Sequence, residues 1–245
     1  ADLWGRRSHG VSTRFSTLRQ IMEKPERRDS WRIHRDEGNC VTVDGGLLPG
    51  YVVGTRCTDL AVERARRHGT ATVTAYGMTH TGMLGYYAAR GAGEDMVMLV
   101  FGNCVPLMAP TGSRDRFFGS NPLAFGFPGP DHPLVTDLAT SAVSMGAVKV
   151  AEERGEKLPP GAMLDENGRP TEDPSEGEVL LPVAAGKGSA LAFAVQAMSI
   201  CLSGATPIPG HGHDYGFAVI ALDPENFAGI ATLRQNMKTL IDRLH

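Results

Sequence analysis

Residues 58–82 read TDLAVERARRHGTATVTAYGMTHTG, and this stretch decides the architecture. A Thr58-Asp59 start, apolar Leu60, Ala61, Val62 and Ala65, and a stop at Gly69 predict a helix over 58–68. The β-rich run 70–76 predicts a strand. Residues 77–82 then form a loop that leaves the strand and carries His80. No GxGxxG follows this or any other strand. Gly91-Ala92-Gly93 lacks the third glycine and is followed by two acids.

Working outward, 83–91 predicts a short helix and 96–101 a buried strand. Residues 103–121, with Pro106 and Pro110, read as loop. Short strands are expected at 122–127 and 134–136, and a helix at 141–154. Residues 158–182 are irregular, rich in Pro, Gly, Asp and Glu, and their acidic stretch 172–178 reads as a solvated loop. Residues 189–202 form a helix apolar enough all round to be buried. A strand at 217–222 and an amphipathic helix at 226–244 complete the chain. Helices mixed with many short strands, without regular βαβ alternation, predict an α/β or α+β fold that is not a standard Rossmann unit.

Composition narrows the class. The 245 residues suffice for a sizeable core, and 42% apolar with 21% charged residues fits a soluble globular protein. A net charge of −3 offers no basic footprint for nucleic acid. No stretch approaches the roughly 20 apolar residues of a membrane helix, and the first residues lack an apolar signal core. Cys40, Cys57, Cys104 and Cys201 are scattered without a CxxC pair, as expected of reduced thiols in a cytoplasm. The 30 glycines concentrate in turns and motif loops rather than in a low-complexity run.

Four segments carry candidate chemistry. His9 stands in Arg7-Ser8-His9-Gly10-Val11 and His80 in Met78-Thr79-His80-Thr81-Gly82. Imidazole in general titrates near neutrality, which suits proton transfer to a substrate oxygen. Read alone, His9 is a solvated helix-end residue and His80 a strand-capping loop residue. Asp137-Leu138-Ala139-Thr140-Ser141 supplies a carboxylate, which either caps a helix starting near Ser141 or orients an imidazole; both roles are compatible. Lys187, between Gly186 and Gly188, is either a surface lysine or a phosphate contact whose glycines allow close backbone approach. His211, His213 and Asp214 lack a third firm zinc ligand, so this segment reads as an exposed loop and no metal is expected.

In this order the four segments resemble the type-2 malate/L-lactate dehydrogenase family, from Ala1 to about Asn226. That family includes ureidoglycolate, sulfolactate and diketogulonate dehydrogenases and piperideine-2-carboxylate reductases. Further similar stretches are Asn103-Cys104, Ala109-Pro110, Gly119-Ser120-Asn121-Pro122, and Asp165-Glu166-Asn167-Gly168 with Asp173-Pro174.

The resemblance implies an α/β fold with a mainly antiparallel sheet and flanking helices, which binds NAD or NADP without a Rossmann fingerprint. It implies one unit over 1–245, with a cofactor-binding part near 70–222 and with N- and C-terminal family segments missing. It also implies a homodimer that acts on a small 2-oxo or 2-hydroxy acid. His9, His80 and Asp137 would be catalytic, with either histidine as proton donor. Ser8, Arg14 and Thr111 would bind substrate. Cys104, Leu138, Ala139, Thr140, Lys187 and Gly188 would contact the cofactor.

Three departures stand out. Arg14 follows His9 by five residues where four is usual. Thr79 and Thr81 stand where Asn and an aromatic are common, and Cys104 where relatives place Ser. A cyclic-imine reductase and a non-catalytic, repurposed member are the alternatives.

Overall fold

Small and β-branched residues alternate through Thr70–Met78, and this run becomes one of the inner strands of a seven-stranded sheet. The computed structural model describes residues 30–208 and 214–244, together with Arg19 and Glu23. The strands are β1 Arg32–Glu37, β2 Cys40–Leu48, β3 Thr70–Met78, β4 Val97–Gly102, β5 Leu123–Phe127, β6 Leu134–Leu138 and, last in the chain, β10 Tyr215–Leu222. Their order is β1-β2-β3-β10-β4-β5-β6. Among the described strands of this sheet, only β2 and β3 pair in parallel, and α1 Gly50–His68 connects them. The other pairs are antiparallel, as the family resemblance implies.

One face of the sheet carries α1 and α2 (Gly85–Ala92). Val43, Val73, Met98, Val100 and Val219 face Val53, Cys57, Ala61, Leu84 and Tyr87, all buried. Thus α1 begins eight residues before the expected Thr58. Thr58 instead lies inside the helix, where its hydroxyl donates to the Gly54 carbonyl at 2.8 Å. β1 and β2 were not foreseen. The Asp44-Gly45-Gly46 bulge and a left-handed Leu47 (φ 60°) break the alternation of β2, and β1 is an exposed, charged edge strand.

The segment expected to be irregular holds a three-stranded sheet of two-residue strands: β7 Met163–Leu164, β8 Pro170–Thr171 and β9 Val179–Leu180. It builds a second core with Met108, Phe118, Leu158 and Ala192, against α3 (Met145–Arg154) and α4 (Gly186–Gln196). α4 runs on through a π-helical turn, Ala197–Cys201. The expected full burial of this helix is not met: Phe193 is 66% and Leu202 55% exposed. α5 spans Ile230–Asp242. No described helix is long and apolar enough to cross a membrane.

Burial pushes the Cys57 thiol and the Tyr87 phenol far above their ordinary values of 9.0 and 10.0. The unfolded chain loses these protons first, so the fold binds more protons and its stability falls as pH rises. Below pH 9 both groups should contribute in full. Above its ordinary value, each should remove about 1.4 kcal/mol of unfolding free energy per pH unit. Denaturant titrations from neutral to alkaline pH check this, and Cys57→Ala should delete the part of the loss that begins first.

Candidate active site

The loop between β3 and α2 carries His80 and is held from several sides. The first amide of α1, Gly50 N–H, donates to Thr79 Oγ1 at 3.2 Å, and Thr79 N–H donates to the Leu48 carbonyl at 3.3 Å. Gly50 is required here, because a Cβ would overlap the Thr79 carbonyl oxygen and lie 2.6 Å from that of His80. The Tyr87 hydroxyl donates to the Thr81 carbonyl at 2.5 Å. Because burial keeps that phenol protonated, Tyr87 remains a donor throughout the neutral range. The half-buried His80 ring meets Tyr51 edge-on, with centroids 6.1 Å apart.

Asp137 lies in β6 rather than ahead of a helix near Ser141. α3 starts at Met145 and is capped by Ser144, whose Oγ accepts from Ala147 N–H at 3.1 Å. Asp137 instead caps a helix distant in sequence. Its Oδ2 accepts the Gly85 N–H at 2.9 Å, at the first residue of α2. A Cβ on Gly85 would lie 2.9 Å from that oxygen. Segment 80–85 therefore runs from the histidine to the amide that holds Asp137.

Beyond Asp137, Leu138 and Ala139 are half-buried and Thr140 is fully buried. The Ser120 carbonyl accepts both the Thr140 N–H at 2.9 Å and its hydroxyl at 3.0 Å. Ser120 N–H in turn donates to Cys104 Sγ at 3.2 Å. The Thr140 carbonyl accepts from Val183 N–H at 2.9 Å. Ala184 and Ala185 follow with φ of 48° and 52°, two successive non-glycine residues in left-handed geometry. Such residues cost on the order of 1–3 kcal/mol each and concentrate at functional sites.

α4 begins directly after this strained turn. Ala185 supplies no side-chain cap, Gly186 faces open space, and Lys187 is exposed in the first turn. The close approach that Gly188 permits is to the Val183 carbonyl of the chain itself. Thr111 joins the same end: its N–H and hydroxyl each lie 2.9 Å from Ser189 Oγ. Lys187 N–H donates to the Ala184 carbonyl at 3.3 Å, but the leading Gly186 end, the positive end of the helix dipole and the adjacent Lys187 ammonium suit a phosphate group. The residues present therefore fit the phosphates of a nicotinamide dinucleotide.

The structure thus brings His80, Asp137, Leu138, Ala139, Thr140, Cys104, Thr111, Lys187 and Gly188 into one connected run. Ser8, His9, Arg14, His211 and His213 lie outside the described residues. Asp214 accepts from Gly77 N–H at 3.0 Å and Thr206 N–H at 2.9 Å, so it ties the end of β3 to the Thr206 segment. Among the described residues, no group of three or more side chains could hold a metal ion. Sequence reading missed Thr79, Tyr87 and the Ala184-Ala185 turn, whose roles arise from contacts across the fold.

The profile of the malate/L-lactate dehydrogenases matches residues 1–245. The chain belongs to the malate/L-lactate dehydrogenase family. It is 31% identical over 260 residues to L-sulfolactate dehydrogenase of Methanocaldococcus jannaschii, covering 100% of this chain and 74% of that protein. It is 35% identical over 213 residues to hydroxycarboxylate dehydrogenase B of Escherichia coli K12, covering 83% and 59%. The structure of the M. jannaschii sulfolactate dehydrogenase superposes with a TM-score of 0.90 at 30% identity, over 99% of this chain and 73% of that one. The Δ1-piperideine-2-carboxylate reductase of Pseudomonas syringae superposes at 0.89 with 28% identity, over 98% and 76%. The chain spans about three quarters of the length of most of these proteins. This membership makes it an oxidoreductase of a nicotinamide-dependent dehydrogenase and reductase family.

Tyr87→Phe removes the donor to the Thr81 carbonyl below His80. We expect a stability loss of about 1–3 kcal/mol, measured by denaturant unfolding. Turnover should fall by more than the fraction unfolded explains, because the His80 loop loses its tether.

Proposed function

We propose that this chain interconverts a small 2-oxo acid and its 2-hydroxy acid, using NADH or NADPH. The observation that carries this reading is the connected run from the His80 loop through Asp137 and Thr140 to the α4 N-terminus. It joins a proton-transfer group to a phosphate-binding end. When bound, the reduced nicotinamide supplies a hydride.

Leu138, Ala139, Thr140 and Cys104 would line the nicotinamide, and Lys187 with Gly188 would hold phosphate or ribose oxygens. Arg14 pairs with the substrate carboxylate by a two-pronged contact, assisted by Ser8 and Thr111. An imidazole protonates the substrate oxygen: His9, stabilised as imidazolium by Asp137, or His80. The chain works as a homodimer, which gives the exposed Phe193 and Leu202 a covering surface. A second reading, reduction of a cyclic imine carboxylate, draws support from the likeness to the piperideine-2-carboxylate reductase. A protonated C=N accepts hydride as a polarised C=O does.

Fluorescence titration with NADH and NADPH, followed by turnover on pyruvate, oxaloacetate and piperideine-2-carboxylate, tests the proposal. Binding of at least one coenzyme and turnover of at least one acid are expected; binding of neither contradicts it. Greater activity on the imine than on every 2-oxo acid selects the second reading. Alanine at the donor histidine should lower kcat by roughly 10²–10⁴-fold with coenzyme affinity retained. His9→Ala and His80→Ala, assayed side by side, identify which residue that is. Lys187→Ala should weaken coenzyme binding and leave kcat nearly unchanged.

A further inference from the structure

Asn121 is fully buried and left-handed, with φ 35°. Its neighbour Ser120 holds Thr140 and Cys104, the wall assigned above to the reactive end of the coenzyme. Its own side chain points the other way. Nδ2 donates to the Ala192 carbonyl at 2.9 Å and to Gln196 Oε1 at 2.8 Å, both on α4. Gln196 Nε2 then donates to the Pro207 carbonyl at 2.7 Å. Gln196 is the last α-helical residue before the π-helical turn, and it is buried. The acceptor at Ala192 orients the amide, since the reversed amide would set two oxygens against each other.

α4 has few other polar ties to the sheet among the described residues. Apart from the Thr111–Ser189 contact at its first turn, α4 meets its surroundings through non-directional apolar packing, whereas a buried amide pair is directional and admits one register. We infer that the Asn121–Gln196 pair is a positioning clamp. It sets the axial position of α4, and so the distance from the Lys187 end to the Cys104–Thr140 wall. This inference rests on the coenzyme site proposed above. Neither amide touches the reacting atoms, and both act through α4.

The test uses two variants of the full chain. Asn121→Gly accepts the left-handed backbone and deletes only the side chain. Gln196→Met keeps the volume and removes both of the glutamine's bonds. Amide hydrogen exchange of the coenzyme-free protein should accelerate about tenfold in α4, as loss of one buried hydrogen bond implies. Exchange in α1 should not change. The KM for NADH or NADPH should rise by about the same factor, with kcat and the KM for the acid substrate held within twofold.

Unchanged α4 exchange in both variants overturns the clamp. Faster α4 exchange with unchanged coenzyme KM overturns its positioning role. Equal acceleration in α1 and α4 marks general destabilisation and also overturns it. A wild-type protein that binds neither coenzyme refutes the functional proposal instead, and the exchange data then still decide whether the pair fixes α4.

Discussion

The Asp137 carboxylate and the Gly85 amide, 2.9 Å apart, hold the two halves of the site together. Asp137 lies in the edge strand β6, and Gly85 opens the helix that follows the His80 loop. A residue with a Cβ at Gly85 would press on the carboxylate. The helix N-terminus pays back the desolvation of the charged group by offering an amide and a favourable dipole. Sheet geometry and loop geometry are thereby fixed to each other where β6 meets the end of the His80 loop.

The other half depends on a strained turn. Val183 is bonded to Thr140, and Gly188 packs on the Val183 carbonyl, so Ala184 and Ala185 are confined to left-handed backbone between two fixed points. That confinement leaves α4 to begin without a side-chain cap, at the exposed Gly186 and Lys187. In a fold without a glycine-rich dinucleotide loop, this end of α4 offers the same physical resource: amides and dipole aimed at an anion.

Much of the framework was legible because its signals are local. The helix stop at Gly69 and the β-rich run after it read correctly from periodicity and turn chemistry, and the His80 loop did too, except that the strand runs two residues further, through Met78. β2 was hidden by its own glycine bulge, and β7 to β9 by strands too short for any period to show. The start of α1 at Gly50 was masked because its capping hydroxyl, Thr79, comes 29 residues later. Among site residues, His80, Asp137 and Lys187 stood out by type and by family resemblance. The cap that Asp137 forms is on α2, fifty-two residues before it, rather than on the next helix. Tyr87, Asn121 and Gln196 act only through tertiary contacts, and no spacing in the chain announces them.

The central claim is that one end of the coenzyme lies at the α4 N-terminus and the other at the Asp137–Thr140 wall. A crystal structure with NADH or NADPH bound tests it most directly. The account predicts phosphate oxygens within hydrogen-bond reach of the Gly186 amide and the Lys187 ammonium, with the nicotinamide against Leu138, Ala139 and Thr140. Phosphates seated at another helix end, with α4 untouched, would contradict it.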